Sequence, residues 1–193
     1  MNVITSDRII MISKLKKILT NDGVELIMSV LDHNKVLCGG LVLQTILGEE
    51  WKTDIDIFTT DRVLTSIGPI PFKEMKKESE YLVVPGVFKV YHGTICGKVH
   101  DTINGQTNNT VEDIGIDIIH ISSLDDVFAG FDFDFCKVWF DGYNFHMKAP
   151  NSVLDKVCTV DEDSVTLRKA ETRIPKYESR GFTIKRMKIL NDT

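Results

Sequence analysis

Residues 39–58, GGLVLQTILGEEWKTDIDIF, decide how this chain is read. Gly39-Gly40 ends a short apolar run, residues 35–38, that reads as a strand. Residues 41–47 have the spacing of a buried helix, stopped by Gly48. Thirteen residues separate Gly40 from Asp54, and residues 53–60, TDIDIFTT, alternate strictly, which predicts a strand. Alternation places Asp54 and Asp56 on one face, with Cα atoms roughly 6.5–7 Å apart. Ile55 and Ile57 then bury the other face. Alone, a Gly-Gly pair reads as a turn and Asp-x-Asp as a solvated strand face. In this order and spacing they point to chemistry: paired carboxylates suit hard divalent cations, Mg²⁺ or Mn²⁺. Two such ions about 3.5–4 Å apart clamp an in-line phosphoryl displacement. The glycines admit the backbone close to a triphosphate, and the helix behind them offers free N–H groups.

Outward from this stretch, residues 7–31 read as one or two helices, broken near Asn21-Asp22-Gly23, with Ser6-Asp7 as a cap. A helix is expected around 61–67, strands at 81–84 and 87–95, and a mobile polar loop or hairpin tip over 97–113. Residues 114–121, IGIDIIHI, read as a strand followed by a short helix begun by Ser122-Ser123. Residues 131–140 alternate as a strand and turn at Asp141-Gly142 into 143–147. A short helix at 153–157 and a longer one at 164–179, interrupted by Pro175, precede an extended 182–187. The pattern predicts an α+β fold, a mixed sheet flanked by helices. Residues 1–150 form its core, and 151–193 form a helical extension packed on it.

Composition sets outer bounds. With 193 residues, 42% apolar and 26% charged, the chain reads as a globular protein of one domain or slightly more. It lacks a run of about 18 apolar residues, so no membrane partner is expected, and no signal peptide is legible. Cys38, Cys96, Cys136 and Cys158 are scattered and read as reduced thiols of a cytoplasmic protein. The net charge of −5 argues against bulk coating of nucleic acid. That charge is uneven: residues 164–193 hold eight basic and three acidic side chains, a local +5 against −10 elsewhere. The five histidines (His33, His92, His100, His120, His146) show no zinc-ligand spacing, and Asp161-Glu162-Asp163 lacks the glycine of a calcium loop.

The Gly39-Gly40 and Asp54-Ile55-Asp56 pattern resembles the signature of the DNA-polymerase-beta-like nucleotidyltransferases. The later segments FDFDFCKVWFDG and RIPKYESRGF are similar to a set of nucleotidyltransferase-like proteins found in viruses, phages and some microbial genomes. Together the likeness spans residues 35–182. It implies a nucleotidyltransferase fold and transfer of a nucleotide from an NTP to an acceptor hydroxyl on a protein, an RNA or a small molecule. It assigns metal binding to Asp54 and Asp56 and phosphate contact to Gly39 and Gly40, and places a virus-encoded member in its host's cytoplasm.

The resemblance also calls for a third acid on a later strand. Asp117 in Ile116-Asp117-Ile118 has the required form and would hold metal or act as general base. Asp132 and Asp134 in FDFDFC are its rivals. Arg173, Lys176, Tyr177 and Arg180, at i, i+3, i+4 and i+7, would line one helix face. Either they hold the triphosphate while Tyr177 stacks on a base, or the tyrosine packs inward and the cations pair with acids. Without a converging third acid, the fold would serve as a nucleotide-binding or protein-interaction module.

Overall fold

The computed structural model describes residues 5–75, 84–103, 106–110, 112–161 and 173–187. Two helices come first. In α1 (Ser6–Ile18) the Thr5 hydroxyl accepts from the Arg8 N–H, with Asp7 in the first turn and Lys16 and Lys17 in the last. In α2 (Asn21–Val30) the Thr20 hydroxyl accepts from the Gly23 N–H. Both caps satisfy donors that a helix start leaves open. The expected break thus falls at Leu19-Thr20, and Asn21-Asp22-Gly23 is the first turn of the second helix.

The decisive stretch folds as β1 (Lys35–Cys38), α3 (Gly40–Leu47) and β2 (Ile55–Thr59). β3 (Lys73–Glu74), β4 (Val87–Cys96), a hairpin of β5 (Val99–Ile103) and β6 (Gln106–Thr110), and β7 (Asp113–Ile121) follow. Next come α4 (Leu124–Ala129), β8 (Val138–Phe140), β9 (Phe145–Met147) and α5 (Pro150–Leu154). β10 (Val157–Asp161), α6 (Ile174–Glu178) and β11 (Thr183–Met187) complete the described chain.

Seven strands form one sheet in the order β3-β4-β7-β2-β1-β8-β9. Only β2 and β7 run parallel; every other pair is antiparallel. The fold is α+β, with a mostly antiparallel mixed sheet flanked by helices. Strand alternation sorts the sheet's two faces. Leu37, Ile55, Ile57, Ile116 and Ile118 join the main core with residues of α1, α2 and α3. Val36, Phe58, Val90, Ile119 and Ile121 point the other way and pack under Val127 and Phe128 of α4. Burial of each such side chain contributes about 1.5–3 kcal/mol, which fixes the register of β2 and β7 and so the facing of every residue between. Among the described residues, no helix is long and apolar enough to cross a membrane. All four cysteines are free, and only Cys96 is exposed.

Three expectations need correction. Residues 61–67 do not form a helix: the Thr59 hydroxyl and the Asp61 carboxylate accept the N–H groups of Asp61 and Val63 and hold a turn instead. Of the two alternatives expected over 97–113, loop or hairpin tip, the described residues form the β5–β6 hairpin. The supposed strand over 131–140 is extended only at 138–140, because residues 134–136 form a 3₁₀ turn. Strand alternation would send Phe135 and Cys136 to opposite faces; the turn packs Phe133, Phe135 and Cys136 into one cluster. The 151–193 extension is not purely helical, since β10 and β11 pair in parallel. Pro175 lies in the first turn of α6, which suits a residue without an N–H. Residues 81–83, 162–163 and the start of the expected 164–179 helix lie outside the described residues.

The extension is anchored by aromatic rings. Phe133 and Phe135 stack at 5.2 Å, Tyr177 meets Phe135 edge-on at 4.9 Å, and Phe182 lies 4.3 Å from Phe135. Phe135 is fully buried at the centre of this group. Phe135→Ala is expected to destabilise the protein by about 3–5 kcal/mol, read as a fall in the urea midpoint at unchanged slope.

Candidate functional site

Sheet register assembles a row of chemically active side chains. Cys38 pairs with Asp56, Asp56 with Asp117, and Asp117 with His92 across four adjacent strands. Residues directly opposite one another share a face, so all four project to the α4 side, with neighbouring strands about 4.8 Å apart. α4 and its apolar cluster fill one half of that face; this row occupies the other. Asp54, expected inside the strand over 53–60, lies just before β2 but on the same side. An added Cβ at Gly115, two residues before Asp117, would meet its Oδ1 at 2.6 Å. The three acids expected from sequence, Asp54, Asp56 and Asp117, are therefore neighbours on one face.

Exposure rises across the group. Asp56 is 7% exposed, the Asp117 side chain 19% and the His92 side chain 45%, while Asp54 is open to solvent. The Asp56 carboxylate looks toward the glycine pair: a Cβ at Gly39 would lie 2.8 Å from its Oδ2. Burial first, and then the charge of Asp56, pushes the Cys38 thiol well above its usual range. Cys38 thus stays a protonated packing residue beside the acids. Nδ1 of His92 lies 2.6 Å from Oδ1 of Asp117. An ionised carboxylate only accepts, so the imidazole N–H is the donor.

The glycine corner is built for donors. Gly39 has φ +75° and ψ −147°, which only glycine adopts readily, and it turns the chain from β1 into α3 without a capping side chain. The first N–H groups of α3 therefore carry no side-chain cap. A Cβ at Gly40 would meet Thr53 Oγ1 at 2.6 Å and Trp51 Nε1 at 3.7 Å. Trp51 Nε1 is buried without a hydrogen-bond partner. The Arg180 guanidinium lies 4.6 Å above the Trp51 ring and donates to the Lys52 carbonyl at 3.5 Å. A cation from the C-terminal segment thus reaches the edge of this corner.

The remaining residues expected at the site behave differently. Tyr177 is 4% exposed inside the aromatic cluster, and Cys136 and Arg173 both donate to its hydroxyl, at 3.2 and 3.4 Å. A base finds no open face on it. Arg173 donates to Asp132 at 2.8 Å. Lys176 is exposed on α6. The rival acids are engaged apart from the row, Asp132 with Arg173 and Asp134 with Lys137 at 2.7 Å. Sequence reading missed His92, whose link to Asp117 spans 25 residues and two strands. Its only signal was its position in the alternating run 87–95.

Carboxylate oxygens are the right donors for Mg²⁺ or Mn²⁺. Among the described residues, however, no three His, Cys, Asp or Glu side chains are already drawn together as an ion cage. The acids stand as neighbours, Asp56 against Gly39 and Asp54 against Gly115, with Asp117 tied to His92.

The two glycines differ in what they tolerate. Gly39→Ala forces a β-carbon into a glycine-only conformation and against Asp56, and is expected to destabilise the fold by about 1–3 kcal/mol. Gly115→Ala, at ordinary backbone angles, crowds the movable end of Asp54 and meets His92 Cε1 at ordinary contact distance, so its cost should stay below about 1 kcal/mol. Urea denaturation of both variants checks this ordering, and equal losses would contradict it.

No family model matches this chain, and no match emerged among curated proteins, so the functional reading rests on the site's own geometry.

Proposed function

We propose that this protein is a metal-dependent nucleotidyltransferase of the DNA-polymerase-beta-like kind, moving a nucleotide from an NTP to an acceptor hydroxyl with release of pyrophosphate. The observation that carries the reading is the in-register opposition of Asp56 and Asp117 on adjacent parallel strands, with Asp54 on the same face and Asp56 turned toward Gly39. Three carboxylates gathered on the partly open half of one sheet face have no packing role that threonine or valine would not fill more cheaply.

Asp54, Asp56 and Asp117 would hold Mg²⁺ or Mn²⁺, which when bound neutralises charge on the transferring phosphoryl group and on the attacking and leaving oxygens. Gly39 and Gly40 let the triphosphate approach the chain, and the uncapped N–H groups of α3 donate to its oxygens. Trp51 Nε1 and Arg180 add donors at the same corner. Arg173 and Tyr177 act as structure, clasping the C-terminal segment that delivers Arg180. The acceptor is a hydroxyl of a protein side chain, an RNA end or a small molecule, and the proton it loses passes to Asp117 or to solvent.

Incubation of the purified protein with labelled NTPs, Mg²⁺ or Mn²⁺ and a cell extract tests this directly. Transfer of label is expected, abolished in Asp54→Ala and Asp56→Ala. Arg180→Ala should raise KM for the NTP roughly tenfold or more with little change in kcat, the loss of one charge-assisted contact. Nucleotide binding without transfer under every condition would instead identify a binding module on the same fold.

A further inference from the structure

We propose that His92 is a positioning residue for the third carboxylate: by donating its Nδ1–H to Asp117 it holds that side chain on the face shared with Asp54 and Asp56. The inference rests on the reading of these acids as donors to a divalent cation, and it assigns His92 a part in that site.

Three observations converge on it. First, the contact is short, 2.6 Å between Nδ1 and Oδ1, and joins residues that are direct partners across the antiparallel β4–β7 pair. The backbone thus delivers the imidazole to the carboxylate without bending either strand. Second, His92 is not a core residue. Its side chain is 45% exposed. His120, by contrast, is buried, donates to the Leu64 carbonyl and packs edge-on to Tyr91. His146 lies flat on Trp139 and meets Asp141, and His33 bonds Asn34. Of these four histidines, His92 is the one bonded to an acid of the row.

Third, Gly115 leaves a space that both His92 and Asp54 use. The place its Cβ would take lies 3.5 Å from His92 Cε1 and 2.6 Å from Asp54 Oδ1. The ring therefore stands beside two of the three acids at once. Carboxylates on neighbouring strands repel and tend to rotate apart; a donor fixed by the sheet on the β4 side of Asp117 limits that rotation. Ligating carboxylates characteristically carry such an outer hydrogen bond, and its loss typically costs roughly 10–100-fold in metal affinity.

The test measures Mn²⁺ binding to the full chain by the electron paramagnetic resonance of free Mn²⁺. His92→Ala should weaken binding roughly 10–100-fold without shifting the thermal midpoint beyond about 2 °C, because the ring is half exposed. His92→Asn puts an amide N–H near the place of Nδ1 and should restore binding to within a few-fold of wild type. A His92→Ala protein that binds Mn²⁺ as wild type does, or more tightly, overturns the positioning role. So does His92→Asn failing as badly as His92→Ala, since the ring itself would then be the ligand. Wild-type protein that binds no Mn²⁺, or binds it equally after Asp54→Ala and Asp56→Ala, defeats the proposed cation site itself and this inference with it. Wild-type binding that depends on Asp54 and Asp56 but not on His92 defeats the inference alone.

Discussion

A carboxylate on a strand buried from end to end is the constraint around which the rest is arranged. All five residues of β2 are buried, Asp56 among them. Taking an ionised carboxylate out of water costs several kcal/mol unless partners replace the lost hydration. The sheet tolerates it because Asp56 sits at the beginning of the strand, where the apolar cover under α4 stops and Gly39 offers backbone in place of a side chain. A one-residue slip of register in either direction would exchange Asp56 for Ile55 or Ile57 and drive a charge into the main core. Packing of the isoleucines and presentation of the acids are thus two results of one alternation.

The C-terminal segment serves this arrangement from the opposite side. Its β10–β11 pair and short α6 place Tyr177 and Phe182 against Phe133 and Phe135, and Arg173 ties the segment to Asp132. Burial pushes the Tyr177 phenol well above its usual range, so the hydroxyl stays protonated in the hydrogen-bonded cluster of Cys136 and Arg173. Three residues beyond this fixed point, Arg180 lies over Trp51. The aromatic cluster is what converts a basic terminal stretch into one cation at a defined place.

Local patterns carried the sequence reading where it succeeded. β1, α3 and β2 follow one another within 25 residues, and glycine turns with strict alternation define them without long-range information. Asp117 was legible by form, although only the β2–β7 register sets it opposite Asp56. The failures share a cause. FDFDFC alternates like a strand, but two adjacent buried side chains demanded a turn, and that demand comes from Tyr177 and Phe182 far along the chain. Helical spacing grouped Arg173, Lys176, Tyr177 and Arg180 on one face, yet the helix spans only 174–178, Lys176 is exposed, and spacing cannot say whether a tyrosine between two arginines looks inward or outward. His92 was invisible because a cross-strand partner has no signature in either strand alone.

Charge then constrains how nucleotide and cation meet on this reading. Residues 1–163 carry a net −10, and three carboxylates share the face an NTP must approach. Coulomb repulsion at effective dielectrics near 20 amounts to about 4 kcal/mol per unit pair at 4 Å, more than the roughly 1.5–3 kcal/mol that one arginine contact returns. Arg180 alone therefore cannot hold a triphosphate against the acids. A divalent ion reverses the sign of the interaction, since it is attracted by the carboxylates and the phosphates alike. Linkage requires that each ligand tighten the other by the same factor. On this reading the acidic face and Arg180 at its rim make sense together: the protein would supply the negative half of a site whose positive half arrives with the nucleotide.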